Sequence, residues 1–238
     1  MISVLITNYN KEKYIKETLD SCLKQSNKDF EIIFYDDNST DNSFKLAKSI
    51  LNGQTEINFK ILERQNKKSD FNSLNQISAV LESLKHCQGR FISFLDADDI
   101  FKNDKIEKTF ENIKKEKKIL YNSYHILKKN ILEKNYRHFK IRKFLWPIFP
   151  PTSCLTIEKN LLEEILSYIN FSDYPSCWLD FRIALYVSKY YKSEIIYDKK
   201  ELNIYRISES GNDKSYKNIL STLFWSRKLD AIRIFKMI

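Results

Sequence analysis

An apolar strand runs directly into an acidic cluster in the stretch FISFLDADD, residues 91–99. Residues 90–95 have the apolar character of a buried strand, and Asp96, Asp98 and Asp99 follow at once. Carboxylates this close repel one another and raise each other's pKa, so a cation is their natural partner. Because extended backbone projects Asp96 and Asp98 to the same side, the pair favours a hard divalent ion, Mg2+ or Mn2+. The alternative is an acidic helix start.

Strand-like and helix-like segments alternate through the hundred residues that lead to this stretch. Strands are predicted over residues 2–6, 30–35, 58–62 and 90–95. Helices are predicted after Asn10, which can cap the first of them, and over residues 42–51 and 71–84. Alternation of this kind predicts an α/β fold with a mainly parallel central sheet flanked by helices.

Polar clusters follow three of these strands. They read Thr7-Asn8-Tyr9-Asn10, Asp36-Asp37 and Asp96-Ala97-Asp98-Asp99. Ligands of parallel sheets bind beyond the carboxyl ends of the strands. We therefore expect all three clusters to open into one crevice.

The second half of the chain is less regular. Helices are predicted over residues 104–117 and 158–168, from Cys177 or Trp178, and from about Ser215, with a short strand over residues 119–121. The sequence shows no internal repeat and no linker. It therefore predicts one domain, residues 1–210, with a basic amphipathic helix over residues 211–238 as a C-terminal extension.

Glycine content excludes several kinds of phosphate site. The chain has three glycines, Gly53, Gly89 and Gly211, and no two lie closer than 36 residues. A dinucleotide fingerprint, a phosphate loop and a nucleophile elbow all need glycines closer together than this. Any bound phosphate must therefore be held by a metal ion or by basic side chains.

Two segments hold the whole excess of positive charge. The formal charge is +9, of which residues 128–143 contribute +6 and residues 211–238 contribute +4. Such segments suit phosphate-bearing partners or an anionic membrane surface, although an ordinary solvated surface is the alternative. No apolar run approaches the length of a membrane span. We expect no signal peptide and four reduced, mostly buried cysteines, and hence a cytoplasmic protein, with peripheral contact at the inner face of the membrane as a further expectation.

Three blocks in this order resemble family 2 glycosyltransferases of the GT-A fold. They are residues 2–10, residues 31–41 with the sequence EIIFYDDNSTD, and residues 91–99. The resemblance runs from Ile2 to about Ser210. It implies transfer of a sugar from a nucleoside-diphosphate donor, most simply a UDP-sugar, to a saccharide or lipid-linked acceptor in cell-surface glycan synthesis, with Mn2+ or Mg2+ as cofactor.

The resemblance also assigns roles to residues. Asp37 would hydrogen-bond the nucleotide base, and Asp98 would be the direct metal ligand. Asp96 would lie near the ribose or the metal shell. The nucleotide-sugar pocket would further contain Thr7, Asn8, Tyr9 and Ala97.

A catalytic base is implied at the start of a later helix. The family has an acidic doublet there, ahead of an arginine, and WLDFR at residues 178–182 matches this pattern with Leu179 in place of one of the two acids. LNIYR follows at residues 202–206 with similar spacing. Asp180 would take the proton of the acceptor hydroxyl, so that the anomeric carbon is inverted. Asp173 is the alternative base, and a purely structural acid near Arg182 is the other interpretation of Asp180.

Four other classes of protein are weighed against this hypothesis. A sugar nucleotidyltransferase needs an early glycine-rich loop, and a haloacid-dehalogenase-type phosphatase carries its DxD after the first strand, not the fourth. A nucleic-acid-binding protein would explain the net charge, but an acidic crevice repels phosphate, so we expect no nucleic-acid partner. A catalytically inactive glycosyltransferase-like protein that binds nucleotides is the remaining alternative.

Overall fold

The four apolar runs of the N-terminal half form four parallel strands, as the alternating pattern predicts. The computed structural model describes residues 1–113, 117–134, 149–168, 173–207 and 221–237. The strands lie in the order β3-β2-β1-β4. Their bounds are β1 (Ile2–Asn8), β2 (Phe30–Asp36), β3 (Asn58–Glu63) and β4 (Phe91–Asp96). Three helices connect them: α1 (Ile15–Leu23), α2 (Ser43–Asn52) and α3 (Asn72–Leu84).

The C-terminal half extends the same sheet with strands of mixed direction. β4 pairs antiparallel with β8, and the order continues β8-β6-β9-β5, while β7 pairs with β6. The strands are β5 (Ile100–Phe101), β6 (Ile119–Lys128), β7 (Ile131–Lys134), β8 (Leu155–Glu158) and β9 (Ile195–Arg206). The helices are α4 (Lys105–Ile113), α5 (Lys159–Tyr168), α6 (Leu179–Tyr190) and α7 (Thr222–Met237).

Helices cover both faces of the sheet, and alternate residues of β1 point into two separate cores. Ile2, Val4 and Ile6 join the core that includes buried residues of α1, α2 and α4. Leu5 joins the other core, to which α3, α5, α6 and α7 contribute. Because β1 is buried on both faces, its sequence is a continuous apolar run. The four cysteines are buried free thiols.

Several predicted boundaries differ from the observed ones. Asn10 does not cap α1, which begins at Ile15; its backbone has a φ of 52°, and its side-chain oxygen accepts a hydrogen bond from the Thr40 amide at 2.7 Å. A helix to residue 117 is also wrong, because α4 ends at Ile113 and residue 117 is not helical. The short strand predicted at 119–121 is the first part of the longer β6. The sequence pattern predicts no strand at β5, β7, β8 or β9.

Some predictions fall on residues outside the described part of the chain. These include a helix start near Ser215, the proposed domain boundary at 210 and most of the basic stretch, residues 135–143. The division into residues 1–210 and 211–238 therefore stays a prediction. Within the described part, α7 contributes Ala231 and Ile234 to the same core as α3, α5 and α6.

Candidate active site

The carboxyl ends of β1, β2 and β4 open into a cleft with a volume of about 590 Å3. Parallel strands placed side by side bring the three polar clusters to one edge of the sheet. All eight residues predicted for the site line this cleft: Thr7, Asn8, Tyr9, Asp37, Asp96, Ala97, Asp98 and Asp180. The cleft is therefore the candidate active site.

Two basic side chains hold Asp37 in place at one end of the cleft. The buried Arg64 guanidinium donates to the Asp37 carboxylate and to the carbonyl oxygen of Asn75, the latter at 2.9 Å. Lys68 Nζ lies 3.4 Å from the other Asp37 oxygen and 3.3 Å from the centre of the Tyr9 ring. This end of the cleft thus presents an oriented carboxylate beside a half-exposed aromatic ring.

Asn8 lies in the wall of the cleft, but its amide nitrogen points into a buried network. Its Nδ2 donates to Asp36 Oδ1 at 2.7 Å and to Ser43 Oγ at 2.9 Å. The backbone carbonyl oxygen of Asn8 accepts a hydrogen bond from the backbone N–H of Asp37 at 2.8 Å. Asn8 therefore ties the end of β1 to the loop that carries Asp37, and this contact orients the Asp37 backbone.

The acidic loop, residues Asp96–Asp99, concentrates negative charge at the other end of the cleft. Burial, together with the charges of Asp98 and Asp180, raises the pKa of Asp96 to about 7. Asp98 forms an ion pair with Lys11, which lies in the loop after β1. Among the residues that the structure describes, no three His, Cys, Asp or Glu side chains are arranged to hold a metal ion.

The donor set nevertheless fits the divalent ion that the resemblance implies. Asp96 and Asp98 both line the cleft, and burial, followed by the charges of Asp98 and Asp180, raises the pKa of Asp96, an effect that a bound cation would oppose. Carboxylate oxygens are hard ligands, and Mg2+ is commonly held by one or two carboxylates plus phosphate oxygens. Two protein carboxylates therefore suffice for an ion that also binds a diphosphate.

Asp99 points away from the cleft and has a structural role. It is fully buried, and it accepts hydrogen bonds from Ser153 Oγ at 2.6 Å and from the Arg206 amide at 2.8 Å. Burial and the charges of Asp96 and Asp98 hold the pKa of Asp99 well above its usual range. Asp99 thus connects the acidic loop to the end of β9.

Asp180 approaches the acidic loop from a different element. It lies in the first turn of α6, and its Oδ1 accepts a hydrogen bond from the Phe181 amide at 2.7 Å. Its charge contributes to the raised pKa of Asp96. Asp173, the alternative base, is exposed and is not among the residues that line the cleft.

The buried Arg182 fixes the turn that precedes Asp180. Its guanidinium donates to the carbonyl oxygens of Cys177, at 2.9 Å, and Tyr174. Arg182 is therefore a positioning residue for the start of α6.

Sequence reasoning missed further residues of the cleft. Arg206 Nε donates to the Asp98 carbonyl oxygen at 2.9 Å, and its Nη2 pairs with Glu17 on α1. The LNIYR block offered a signal for Arg206, whereas Lys11 gave none beyond its proximity to the first polar cluster. Other polar or aromatic lining residues without a predicted role include Asn72, Gln76, Tyr124, Trp178, Tyr205 and Arg227.

The parallel half-sheet with a cleft at its carboxyl edge defines an open α/β fold of the class that binds its ligand beyond the strand ends. Residues 3–165 match the model of glycosyl transferase family 2. The chain therefore belongs to glycosyl transferase family 2, which confirms the predicted family.

Curated relatives resemble about half of the chain. A putative teichuronic acid biosynthesis glycosyltransferase, TuaG of Bacillus subtilis, is 34% identical over 113 residues, 47% of this chain and 41% of that protein. The UDP-Glc:alpha-D-GlcNAc-diphosphoundecaprenol beta-1,3-glucosyltransferase WfgD of Escherichia coli is 30% identical over 132 residues, 55% of this chain and 48% of that protein. The matched part of the chain spans less than half the length of these relatives.

Solved structures share the architecture over nearly the whole chain. S. aureus TarS 1–349 in complex with UDP-GlcNAc has a TM-score of 0.65 at 20% identity and covers 97% of this chain and 65% of that one. The mannosyltransferase PcManGT of Pyrobaculum calidifontis, in complex with GDP-Man and Mn2+, has a TM-score of 0.64 at 13% identity. The match covers 99% of this chain and 74% of that one. These similarities confirm the predicted fold class.

Hydropathy of the helices bears on membrane insertion. Of the helices in the described ranges, none combines the length and the apolar character needed to cross a bilayer.

Proposed function

We propose that this protein is a metal-dependent, inverting glycosyltransferase that moves a sugar from a nucleoside-diphosphate donor to an acceptor hydroxyl. One observation carries the proposal: Asp37, Asp98 and Asp180 come from three separate elements and line the same cleft. The three carboxylates match the three tasks of the reaction, which are to bind the nucleotide, to hold the cation and to accept a proton.

The donor nucleotide binds at the Asp37 end of the cleft. A base that offers N–H donors would meet the Asp37 carboxylate, whose orientation Arg64 fixes. Thr7, Asn8, Tyr9 and Ala97 complete the pocket in this proposal. UDP is the favoured nucleotide, because TarS was solved with UDP-GlcNAc and WfgD is named for UDP-Glc.

Asp98 and Asp96 would hold Mn2+ or Mg2+ at the diphosphate end. When bound, such an ion neutralises the negative charge that grows on the leaving diphosphate. Lys11 and Arg206, both in the cleft wall, add positive charge at the same end. The complex of PcManGT with GDP-Man and Mn2+ supports this choice of metal.

Asp180 acts as the general base. The acceptor oxygen attacks the anomeric carbon and its proton passes to the Asp180 carboxylate, while the bond from that carbon to the diphosphate oxygen breaks. The nucleoside diphosphate leaves from the opposite face, so the configuration inverts. The interaction between the charges of Asp180 and Asp96 supports this role, because in this proposal Asp96 helps to hold the cation at the diphosphate end of the cleft.

A saccharide or lipid-linked acceptor in cell-surface glycan synthesis is the proposed context. The names of TuaG and WfgD, which refer to teichuronic acid and to a diphosphoundecaprenol-linked sugar, support it. The proposed location is the cytoplasm, with contact at the inner face of the membrane.

Nucleotide binding is tested by thermal shift with UDP, GDP, dTDP and CMP in Mn2+, Mg2+ or EDTA. A ligand at a hundredfold excess over its Kd adds about 2.7 kcal/mol, which is a shift of a few degrees for a chain of this size. We expect one nucleoside diphosphate to stabilise the protein only with metal, and Asp98→Ala to lose the effect. No shift with any nucleotide contradicts the donor site.

The base is tested by Asp180→Asn, with Asp173→Asn as a matched control outside the cleft. General-base catalysis contributes about 10² to 10⁴ in rate, so we expect sugar transfer or donor hydrolysis to fall by that factor in Asp180→Asn. The metal-dependent thermal shift stays in both variants. Equal activity of Asp180→Asn and wild type contradicts the assignment, whereas nucleotide binding without turnover in wild type indicates an inactive relative.

A further inference from the structure

α7 has one face in the core and an apolar face in solvent. Ala231 and Ile234 are buried in the core, while Trp225, Leu229 and Ile232 are each more than half exposed. The exposed residues recur at a spacing of four and three, so they form one stripe along the helix. Exposed apolar stripes of this kind mark interaction surfaces.

Positive charge surrounds the stripe. Helical geometry places Lys228 on one side of it, Arg233 on the other and Lys236 at its C-terminal end. With Arg227 and the single acid Asp230, α7 carries a net charge of +3. An apolar stripe with flanking cations is the pattern of a helix that lies in the plane of a membrane interface.

The buried side of α7 contacts the segment that leads to Asp180. Asp230 Oδ2 accepts a hydrogen bond from the Ser176 amide at 3.0 Å, and the Arg227 carbonyl oxygen lies 3.9 Å from Cys177 Sγ. Arg227 also lines the cleft. A partner that covers the outer face of α7 would therefore lie beside the end of the cleft that contains Asp180.

We propose that α7 docks on an anionic lipid surface, with the stripe in the interface and its cations on the headgroups. Charge complementarity selects this partner, because a second copy of the same face would bring two positive helices together. The stripe supplies apolar area that becomes buried on binding, and the cations supply attraction to anionic lipid. Both contributions strengthen the binding of a helix to a membrane surface. Docking places the cleft where a lipid-linked acceptor resides, a consequence that rests on the proposed function, although docking itself does not.

Vesicle flotation of the full chain tests the proposal. The probes are vesicles of phosphatidylcholine alone and with one-third phosphatidylglycerol. We expect wild type to float with the anionic vesicles, and Leu229→Ser/Ile232→Ser to bind them at least tenfold more weakly. The matched control is Leu46→Ser/Leu81→Ser, which removes two exposed apolar side chains from α2 and α3, outside both basic segments, and should bind as wild type does.

Trp225 reports on the mechanism of binding. The Trp225 contribution to the fluorescence, taken as the difference between wild type and Trp225→Phe, should shift to the blue with anionic vesicles, and the shift should weaken as salt screens the cations. Failure of wild type to bind anionic vesicles overturns the proposal, and so does equal binding by Leu229→Ser/Ile232→Ser. A lipid-independent dimer that this variant dissolves also overturns it, in favour of a second copy as the occupant. The nucleotide-dependent thermal shift is measured without vesicles, so failure of docking and failure of the proposed function are distinguishable.

Discussion

Lys11 supplies positive charge to the acidic loop through its ion pair with Asp98. A cation that enters the cleft must compete with this ammonium for Asp98. We therefore expect Lys11→Met to bind Mn2+ more tightly than wild type when no nucleotide is present. The measurement is the Mn2+-induced rise in Tm, which should be several degrees larger in the variant.

A matched control for this prediction lies on α1. Lys16 pairs with Asp20 on the exposed surface at 2.6 Å, away from the cleft. Lys16→Met should respond to Mn2+ as wild type does, and adding Asp98→Ala to Lys11→Met should abolish the gain. Equal Mn2+ shifts in Lys11→Met and wild type would show that Lys11 does not compete for this site.

Lys105 on α4 makes the stability of the fold depend on pH. Its ammonium is fully buried, donates to Asn122 and lies 5.4 Å from the centre of the Phe101 ring. Burial lowers the pKa of Lys105 to about 8, against 10.5 in the unfolded chain. Between these values the unfolded chain binds more protons, so the stability of the folded protein rises with pH.

The contribution of Lys105 is measured by comparing wild type with Lys105→Met. We expect the free energy of unfolding of wild type, relative to the variant, to increase by about 2 kcal/mol from pH 7.5 to 9.5. Urea unfolding at the two pH values gives this difference, and other titrating groups cancel. Lys108→Met, at a partly buried position of the same helix, should show no such rise with pH. A difference that is independent of pH contradicts the lowered pKa.

Among the elements, a tight packing constraint lies just before β4. The Gly89 amide donates to Ser3 Oγ at 2.9 Å, and a Cβ at residue 89 would lie 2.7 Å from the Ile2 carbonyl carbon. The atoms in the way belong to the backbone of β1, which cannot move aside by a change of rotamer as a side chain could. We expect Gly89→Ala to lower the free energy of unfolding by about 1–3 kcal/mol in urea unfolding.

Gly53 provides the comparison for this prediction. It follows α2 with a φ of −82°, and a Cβ there would lie 3.2 Å from the Ser49 carbonyl oxygen. Alanine adopts this backbone freely, so Gly53→Ala should stay within about 1 kcal/mol of wild type. Similar losses in both variants would mean that the β1–β4 approach is not the cause.

Elements with a clear burial pattern could be predicted from the sequence, and elements without one could not. β1, β2 and β4 are apolar runs because both of their faces are covered, and α1 and α3 show helical spacing. β9 contains Asp198, Lys199, Lys200 and Glu201, is mostly half-buried, and has register irregularities against β6. The residue pattern of β9 is therefore typical of a loop. The segment is a strand because it pairs with β6, and no local sequence pattern encodes that pairing. β7 is exposed throughout and had no core signal at all.

At the scale of the whole molecule, the same distinction separates the predicted site residues from the missed ones. Asp37 and Asp98 directly follow apolar strands of a parallel sheet, so topology alone brings them to one edge. Tyr124 and Arg227 reach the cleft from the middle of β6 and from α7, through contacts that no local pattern encodes. The family resemblance predicted Asp180 as a member of the same site as Asp37 and Asp98. From its spacing alone, Asp180 is predicted only as an acidic residue at the start of a helix.

The contacts of Arg206 also set an order of assembly during synthesis. Arg206 touches Glu17, 189 residues earlier in the chain, and Asp98, 108 residues earlier. A ribosome that adds about 5–20 residues per second needs roughly 5 to 20 seconds to make the segment between the acidic loop and Arg206. The Asp37 pocket, built within the first hundred residues, is thus made first, and the acidic loop waits for its partners in β9. The two ends of the cleft are therefore completed at different times during synthesis.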